Sequence, residues 1–192
     1  MRHITNSLAQ IEHSTAVAVG KFDGLHKGHV HLLNELHKVS TSHGLAAAVF
    51  SFSSHPAQVL HNVAMPPIIS VQEKLLLLEQ LRIDYFVEIP FTKAFAQTSP
   101  EDFAADILVG WLKCKMLVVG EGFRFGREGK GDVTTAQTLG GRYGFDVHVV
   151  PHIHGNGAKI SSSDIRNYIA QGDFDKVQEA TGRSYSGADS HE

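Results

Sequence analysis

Short β-rich apolar runs alternate along the whole chain with longer stretches whose apolar residues recur every three to four positions. That alternation leaves few folds open. Ala16, Val17, Ala18 and Val19 form a run that ends at Gly20, and residues 45–52 form a second, with seven apolar residues and one serine. Residues 84–89, 116–119 and 145–150 make three more. The runs are nearly continuous rather than alternating in and out, which suits strands covered on both faces.

Between them lie helix candidates. Residues 29–39 carry apolar residues at Val30, Leu33, Leu36 and Val39, a three-to-four residue period. Residues 71–81 repeat the pattern after Ser70, a residue type suited to an N-cap. Ser99, Pro100, Glu101 and Asp102 read as an N-cap, a first-turn proline and two acids, with Phe103, Ile107 and Trp111 expected on one side of the helix that follows. Residues 132–143, 161–170 and 173–181 complete the set, the last closing at Gly182. Strands alternating with helices predict βαβ units: an α/β, Rossmann-like, doubly wound parallel sheet of about five strands. The expected division is one domain over residues 1–185, followed by a loose polar tail over 186–192.

A chain of 192 residues buries enough surface to need no metal or disulfide staple. The net charge of -3 argues against a dedicated nucleic-acid binder, whose footprint would be clustered Lys and Arg, yet permits a local basic pocket. Cys114 is the only cysteine, which excludes a disulfide framework and a Cys-based zinc site; beside an apolar run it reads as a buried, inert thiol. No stretch is long and apolar enough to span a bilayer, and no signal-like run opens the chain, so a reducing cytoplasm is the expected setting.

In doubly wound folds the ligand sits outside the C-terminal ends of the strands, where the strand order switches, so the loops leaving the strands carry the chemistry. The first loop holds Gly20, Lys21, Phe22, Asp23, Gly24, Leu25, His26, Lys27, Gly28 and His29, and runs directly into a helix. Gly20 and Gly24 permit a tight backbone, and Gly28 removes a side chain where a phosphate would approach. The helix opening supplies free N–H groups and partial positive charge, and His26 and His29, three apart, project to one side of it. Metal chelation is the competing reading, since His31 extends the pattern to H-x-x-H-x-H and His152 and His154 could add to it. A helical rotation of roughly 200° separates His31 from His29, so the imidazoles should not converge. His31, His37 and His43 read as surface residues.

A second constellation follows the last strand: Lys159, Ile160, Ser161, Ser162, Ser163, Asp164, Ile165 and Arg166. Its hydroxyls can cap a helix or bind an anion, and its guanidinium can reach a phosphate bidentately. The third is the glycine-rich stretch from Gly120 through Gly122, Phe123, Arg124 and Phe125 to Gly131, whose aromatics either wall a flat ring system or cover the core. The expectation is that the two helix openings converge on one triphosphate.

The H-x-G-H arrangement after a strand and before a helix resembles the nucleotidyltransferase superfamily. Six motifs in order extend the likeness from about Val17 to Gly187: F-D-G-L-H-K-G-H (22–29), H-P-x-x-V (55–59), P-F-T-K-A-F (90–95), S-P-E-D-F (99–103), F-R-F-G (123–126) and I-S-S-S-D-I-R (160–166). Together they resemble the adenylyltransferase domain of bacterial FAD synthetases, usually bifunctional riboflavin kinase/FMN adenylyltransferases. The resemblance implies transfer of AMP from MgATP to FMN, with Mg²⁺ arriving on the nucleotide and no metal ligand set on the protein. It implies catalytic roles for His26, His29 and Arg166. ATP would be held by Gly20, Phe22, Asp23, Gly28, Gly120, Lys159, Ser161, Ser162 and Ser163. Ser53, His55, Pro56, Gly122, Phe123, Arg124 and Phe125 would shape the flavin pocket. ATP and FMN are the implied partners, with neither nucleic acid nor membrane.

The chain departs from the family pattern at four places. Ser53 and Ser54 stand where an acid and a proline usually precede H-P; Gly122 replaces an Asp or Asn; and the closing G-R-P-Y reads Gly182, Arg183, Ser184, Tyr185. The family's kinase domain would start near Ser186, where this chain stops, so riboflavin kinase activity is not expected of it. The alternatives left open are an adenylyltransferase for another phosphorylated acceptor and a flavin- or nucleotide-binding protein without turnover.

Overall fold

The computed structural model describes residues 1–5, 11–152 and 160–185. Six parallel strands form one sheet in the order β1-β4-β3-β2-β5-β6: Arg2–Ile4, Thr15–Val19, Ala46–Phe52, Tyr85–Ile89, Cys114–Gly120 and Asp146–Val150 for β1 to β6. Five coincide with the apolar runs. The sixth, β1, is the addition to the expected five. Among the described residues it is a three-residue edge strand that pairs with β4 alone and buries only Ile4, so it has no apolar run to announce it.

The helices are α1 (Lys27–Ser42), α2 (Pro56–His61), α3 (Val71–Gln80), α4 (Pro100–Asp102), α5 (Val133–Tyr143), α6 (Ser162–Gln171) and α7 (Phe174–Thr181). Two apolar layers cover the sheet. Ala16 and Ala18 of β2 face a layer containing Leu33 and Leu36 of α1, Leu78 of α3, Ile165 of α6 and Val177 of α7. Val17 and Val19 face the opposite layer, built around Phe50, Phe103, Leu108 and Leu139. Both faces are therefore dry, which is why the strands read as continuous apolar runs. Cys114 is 1 % exposed and burial pushes its thiol up to about 12, as expected of an inert core residue. Among the described residues no helix is long and apolar enough to cross a membrane.

The helix begun by Ser99 does not keep the α period. Ser99 caps α4, and the chain then continues as a π-helix over Phe103–Trp111, with the Leu112 N–H on the Ile107 carbonyl at 2.9 Å. The wider turn puts Phe103, Ala104 and Leu108 in the core and leaves Ile107 and Trp111 at its edge. The expected Phe103, Ile107, Trp111 stripe is therefore displaced.

Packing at the end of α5 is close enough to decide a substitution. A Cβ on Gly140 would lie 2.4 Å from the Phe145 carbonyl oxygen, a backbone atom that cannot move alone. Alanine is the better helix former by about 1 kcal/mol. Gly140→Ala is nevertheless expected to destabilise the fold by roughly 1–3 kcal/mol because the clash outweighs propensity. Urea unfolding of the two proteins measures the difference.

Candidate active site

Strand order reverses between β2 and β5, which lie side by side while the chain proceeds outward from them in opposite directions. The loops leaving their C-terminal ends border the crevice where such sheets bind ligands. The first loop folds over itself. Gly20 is required by proximity, since a Cβ there would meet the Phe22 ring at 3.0 Å. The positive φ angles fall not on Gly20 or Gly24 but on Phe22 (47°) and Leu25 (39°), a conformation costly for bulky residues. Arg183, at the far end of the chain, holds this shape: its guanidinium donates to the carbonyls of Gly24 and Leu25, each at 2.9 Å.

The loop ends on His26, which caps α1. Its Nδ1 accepts the His29 backbone N–H at 3.3 Å. The two imidazoles stack with centroids 3.7 Å apart and planes 18° from parallel, and the His29 ring also meets the edge of the buried Phe22 ring. Gly28 is necessary to this stack, because a Cβ there would sit 3.2 Å from the His26 ring. The His29 Nδ1 is buried and has no hydrogen-bond partner among the described residues.

At the second opening, Ser161 caps α6 in a capping box: its hydroxyl accepts the Asp164 N–H, and the Asp164 carboxylate accepts the Ser161 N–H and hydroxyl. One turn on, the Arg166 guanidinium donates to the Asp23 carboxylate, tying α6 to the first loop across the switch point. The other Asp23 oxygen accepts the Ile68 N–H at 3.3 Å. The Arg166 Nε is buried and has no hydrogen-bond partner among the described residues.

The two openings meet in one cleft of about 310 Å³, lined by His26, Gly28, His29, Ser161 and Ser162, with Gly122, Phe123 and His152 opposite. His31 also lines it, contrary to the expectation that it faces elsewhere, because the cleft extends along the first turn of α1. Ser163 is exposed and is not among the lining residues, and Lys159 and His154 lie outside the described residues. Gly120 closes against the His152 ring.

The residues grouped with the flavin divide among three places. Gly122 and Phe123 face the histidines rather than a separate acceptor pocket. Pro56, Arg124 and Phe125 line a cleft of about 360 Å³ walled by Phe52, Phe91, Phe95 and Phe103, and the Phe123 and Phe125 rings stack at 5.2 Å as the partition between the two spaces. Ser53 and His55 line a third cleft, of about 560 Å³, with Lys21 and Asp23.

The chain matches the FAD synthetase family over residues 8–164. The chain belongs to that family. It is 32% identical over 185 residues to an FAD synthetase of Listeria monocytogenes, covering 95% of this chain and 74% of that protein. It is 30% identical over 183 residues to a bifunctional riboflavin kinase/FMN adenylyltransferase of Buchnera aphidicola, covering 94% of this chain. It spans only 59% of the length of that relative. Among solved structures, a protein of Streptococcus pneumoniae titled a macrolide-efflux protein superposes with a TM-score of 0.82 at 24% identity, over 94% of this chain and 59% of its own, which is a likeness of fold.

In this member of the FAD synthetase family, burial and then the neighbouring His26 imidazole hold the His29 pKa well below its ordinary 6.5. His29 is therefore neutral at pH 7 in the free protein. In the unfolded chain it takes up a proton near pH 6.5. Below that value the unfolded state binds the extra proton, so this group subtracts stability as pH falls from about 7 toward its depressed folded pKa, by at most about 1.4 kcal/mol per pH unit. The melting-temperature advantage of the native protein over His29→Asn is expected to shrink between pH 7.5 and 5.5. Paired thermal melts across that range check the sign.

No group of three His, Cys, Asp or Glu among the described residues is arranged to hold a metal ion. Asp23 is the carboxylate of the first loop, and Arg166 and the Ile68 N–H already engage it. Sequence reasoning overlooked Lys21 and the clamp from Arg183, both of which depend on long-range packing that no local pattern encodes.

Proposed function

We propose that the chain makes FAD by transferring AMP from MgATP to FMN with release of pyrophosphate. The observation that carries the reading is the meeting of the α1 and α6 openings in one cleft. Two helix N-termini, paired imidazoles and the Ser162 hydroxyl line that cleft and offer donors to a chain of phosphates, while the Arg166 guanidinium, tied to Asp23, stands one turn into α6.

In this mechanism the β- and γ-phosphates lie between His26, His29 and the α6 opening. Gly28, which lines the cleft without a side chain, gives close approach. Mg²⁺ would come in with ATP and would neutralise phosphate charge there. The FMN phosphate oxygen attacks the α-phosphorus in line. A P–O bond forms to the acceptor, the bond from the α-phosphorus to the bridging oxygen breaks, and pyrophosphate leaves with the electron pair. No covalent enzyme intermediate is required, and the protein contributes position and charge stabilisation. Charge that builds on the leaving group meets the imidazole of His29, which lines the cleft and is held in place by the stack with His26. The aromatic cleft behind the Phe123–Phe125 partition has the flat, apolar walls suited to an isoalloxazine ring.

Purified protein with ATP, Mg²⁺ and FMN is expected to yield FAD and pyrophosphate in equal amounts. Absence of both products refutes the reading. Ser53 and Ser54, which replace the usual acid and proline beside the third cleft, favour one second reading: a different phosphorylated acceptor. Pyrophosphate release across a panel of phosphate monoesters, with FMN the poorer substrate, would establish it.

A further inference from the structure

The third cleft is lined by five charged or titratable side chains: Lys21, Asp23, His55, Lys74 and Glu88. Four are matched within the protein. Asp23 is paired with Arg166, and the Lys74 ammonium donates to Glu88 at 2.9 Å with both side chains buried. His55 caps α2, its Nδ1 accepting the Ala57 N–H at 3.0 Å. Lys21 alone forms no ion pair with any described carboxylate.

Its place is nonetheless fixed. The buried Ser51 hydroxyl donates to the Lys21 carbonyl at 2.9 Å, and the preceding Gly20 N–H bonds to the Phe50 carbonyl at 3.1 Å. Lys21 thus leaves the C-terminal end of β2 beside the Asp23–Arg166 tie that joins this cleft to the α6 opening. A half-buried ammonium with no described carboxylate in ion-pair contact, its charge offset only in part by the nearby Asp23, is costly, and it is the arrangement expected where an anion is to arrive.

We infer that Lys21 receives the phosphate of the acceptor and that the third cleft holds the phosphate-bearing end of that substrate; this rests on the adenylyl-transfer reading given above. Two phosphorylated molecules must approach within bonding distance in that reaction, and their charges repel. A cation at the end of β2, compensated only in part by Asp23, offsets that repulsion on the acceptor side, while the helix openings serve the nucleotide. The attacking phosphate oxygen is already ionised, so no proton passes to or from Lys21. It acts by charge, and arginine should substitute for it.

Burial, only partly offset by Asp23 and reinforced by Arg166 and Lys74, lowers the Lys21 pKa to about 8. The ammonium is charged below that value and neutral above it. Acceptor capture should therefore weaken as pH rises through about 8, and an arginine, charged throughout, should abolish that limb.

The test is steady-state kinetics of the native protein, Lys21→Met and Lys21→Arg, with FMN and ATP varied separately. Lys21→Met is expected to lower kcat/KM for FMN by about ten- to a hundredfold, the value of a hydrogen bond to a charged group, while KM for ATP moves less than about threefold. Lys21→Arg is expected to keep kcat/KM for FMN within about fivefold of native and to lose the alkaline decline. A folded Lys21→Met with native FMN kinetics, or with its defect on ATP, overturns the inference. If Lys21→Met does not fold, the pH profile of Lys21→Arg decides, and an unchanged alkaline limb there overturns it. Native protein that turns over while these variants behave as native removes only Lys21; native protein that releases no pyrophosphate removes the transfer reading and the inference with it.

Discussion

FAD formation by His29→Ala is expected to fall at least about a hundredfold, with kcat affected more than KM for ATP. The His29 ring is clamped between the His26 stack and the Phe22 edge, and its Nδ1 is buried without a partner among the described residues. The ring also lines the cleft, so a phosphate oxygen can meet it from that side while the stack holds its orientation. One preorganised donor at developing charge is worth roughly a hundred- to a thousandfold in turnover. Because charge grows on the leaving pyrophosphate as the bond breaks, the interaction strengthens in the transition state and the loss appears in kcat. The backbone N–H of residue 29 still caps against His26, so the helix opening should persist. Steady-state kinetics with a circular-dichroism check measures this; native turnover in a folded variant would exclude His29 from the chemistry.

Arg166→Ala is expected to damage both stability and turnover, and the two can be separated. The side chain lies 17% exposed against Asp23 at 11%, so removing the guanidinium leaves a largely buried carboxylate without its counter-ion. Breaking such a pair costs about 3–5 kcal/mol, which for a domain of this size lowers Tm by roughly 10 °C. A double variant, Asp23→Asn with Arg166→Met, removes the stranded charge, while the amide oxygen of the introduced asparagine can still accept the Ile68 N–H. It is expected to regain at least half of the lost Tm and to recover no turnover. Were turnover restored along with stability, Arg166 would be a structural strut only. Scanning calorimetry and product formation on the same preparations provide both readings.

Much of the fold was legible because both faces of the sheet are covered. Burial on two sides imposes continuous apolar runs, and β2 through β6 carry them. Helix starts were legible where a capping side chain is local, as at Ser70, Ser99 and Ser161. What escaped lacks those signals. β1 buries one residue and satisfies its backbone through β4, far along the chain. α2 buries no residue at all and is capped by a histidine rather than a serine or aspartate, so proline at its first position is its clearest helical cue. The π-helix repeats at a period that a search for 3.6 does not detect.

The site divides in the same way. Paired imidazoles three apart, the glycine between them and the serine run before Arg166 are local, and their residue types name the chemistry. Which walls they share is not local. Phe123 and Phe125 are two apart yet border different clefts. Asp23 and Arg166 meet across 143 positions, and Arg183 reaches the Leu25 carbonyl across 158. Lys21 is informative through the partner it does not have, which sequence alone cannot display.

Two helix openings that grip one polyphosphate are the physical basis of everything proposed for this chain. A crystal structure with Mg²⁺ and a non-hydrolysable ATP analogue tests that grip most directly. The β- and γ-phosphates are expected within hydrogen-bonding distance of His29 on one side and of the first α6 N–H groups and Arg166 on the other. Phosphates bound at only one of these openings, or lodged in the aromatic cleft, would contradict it.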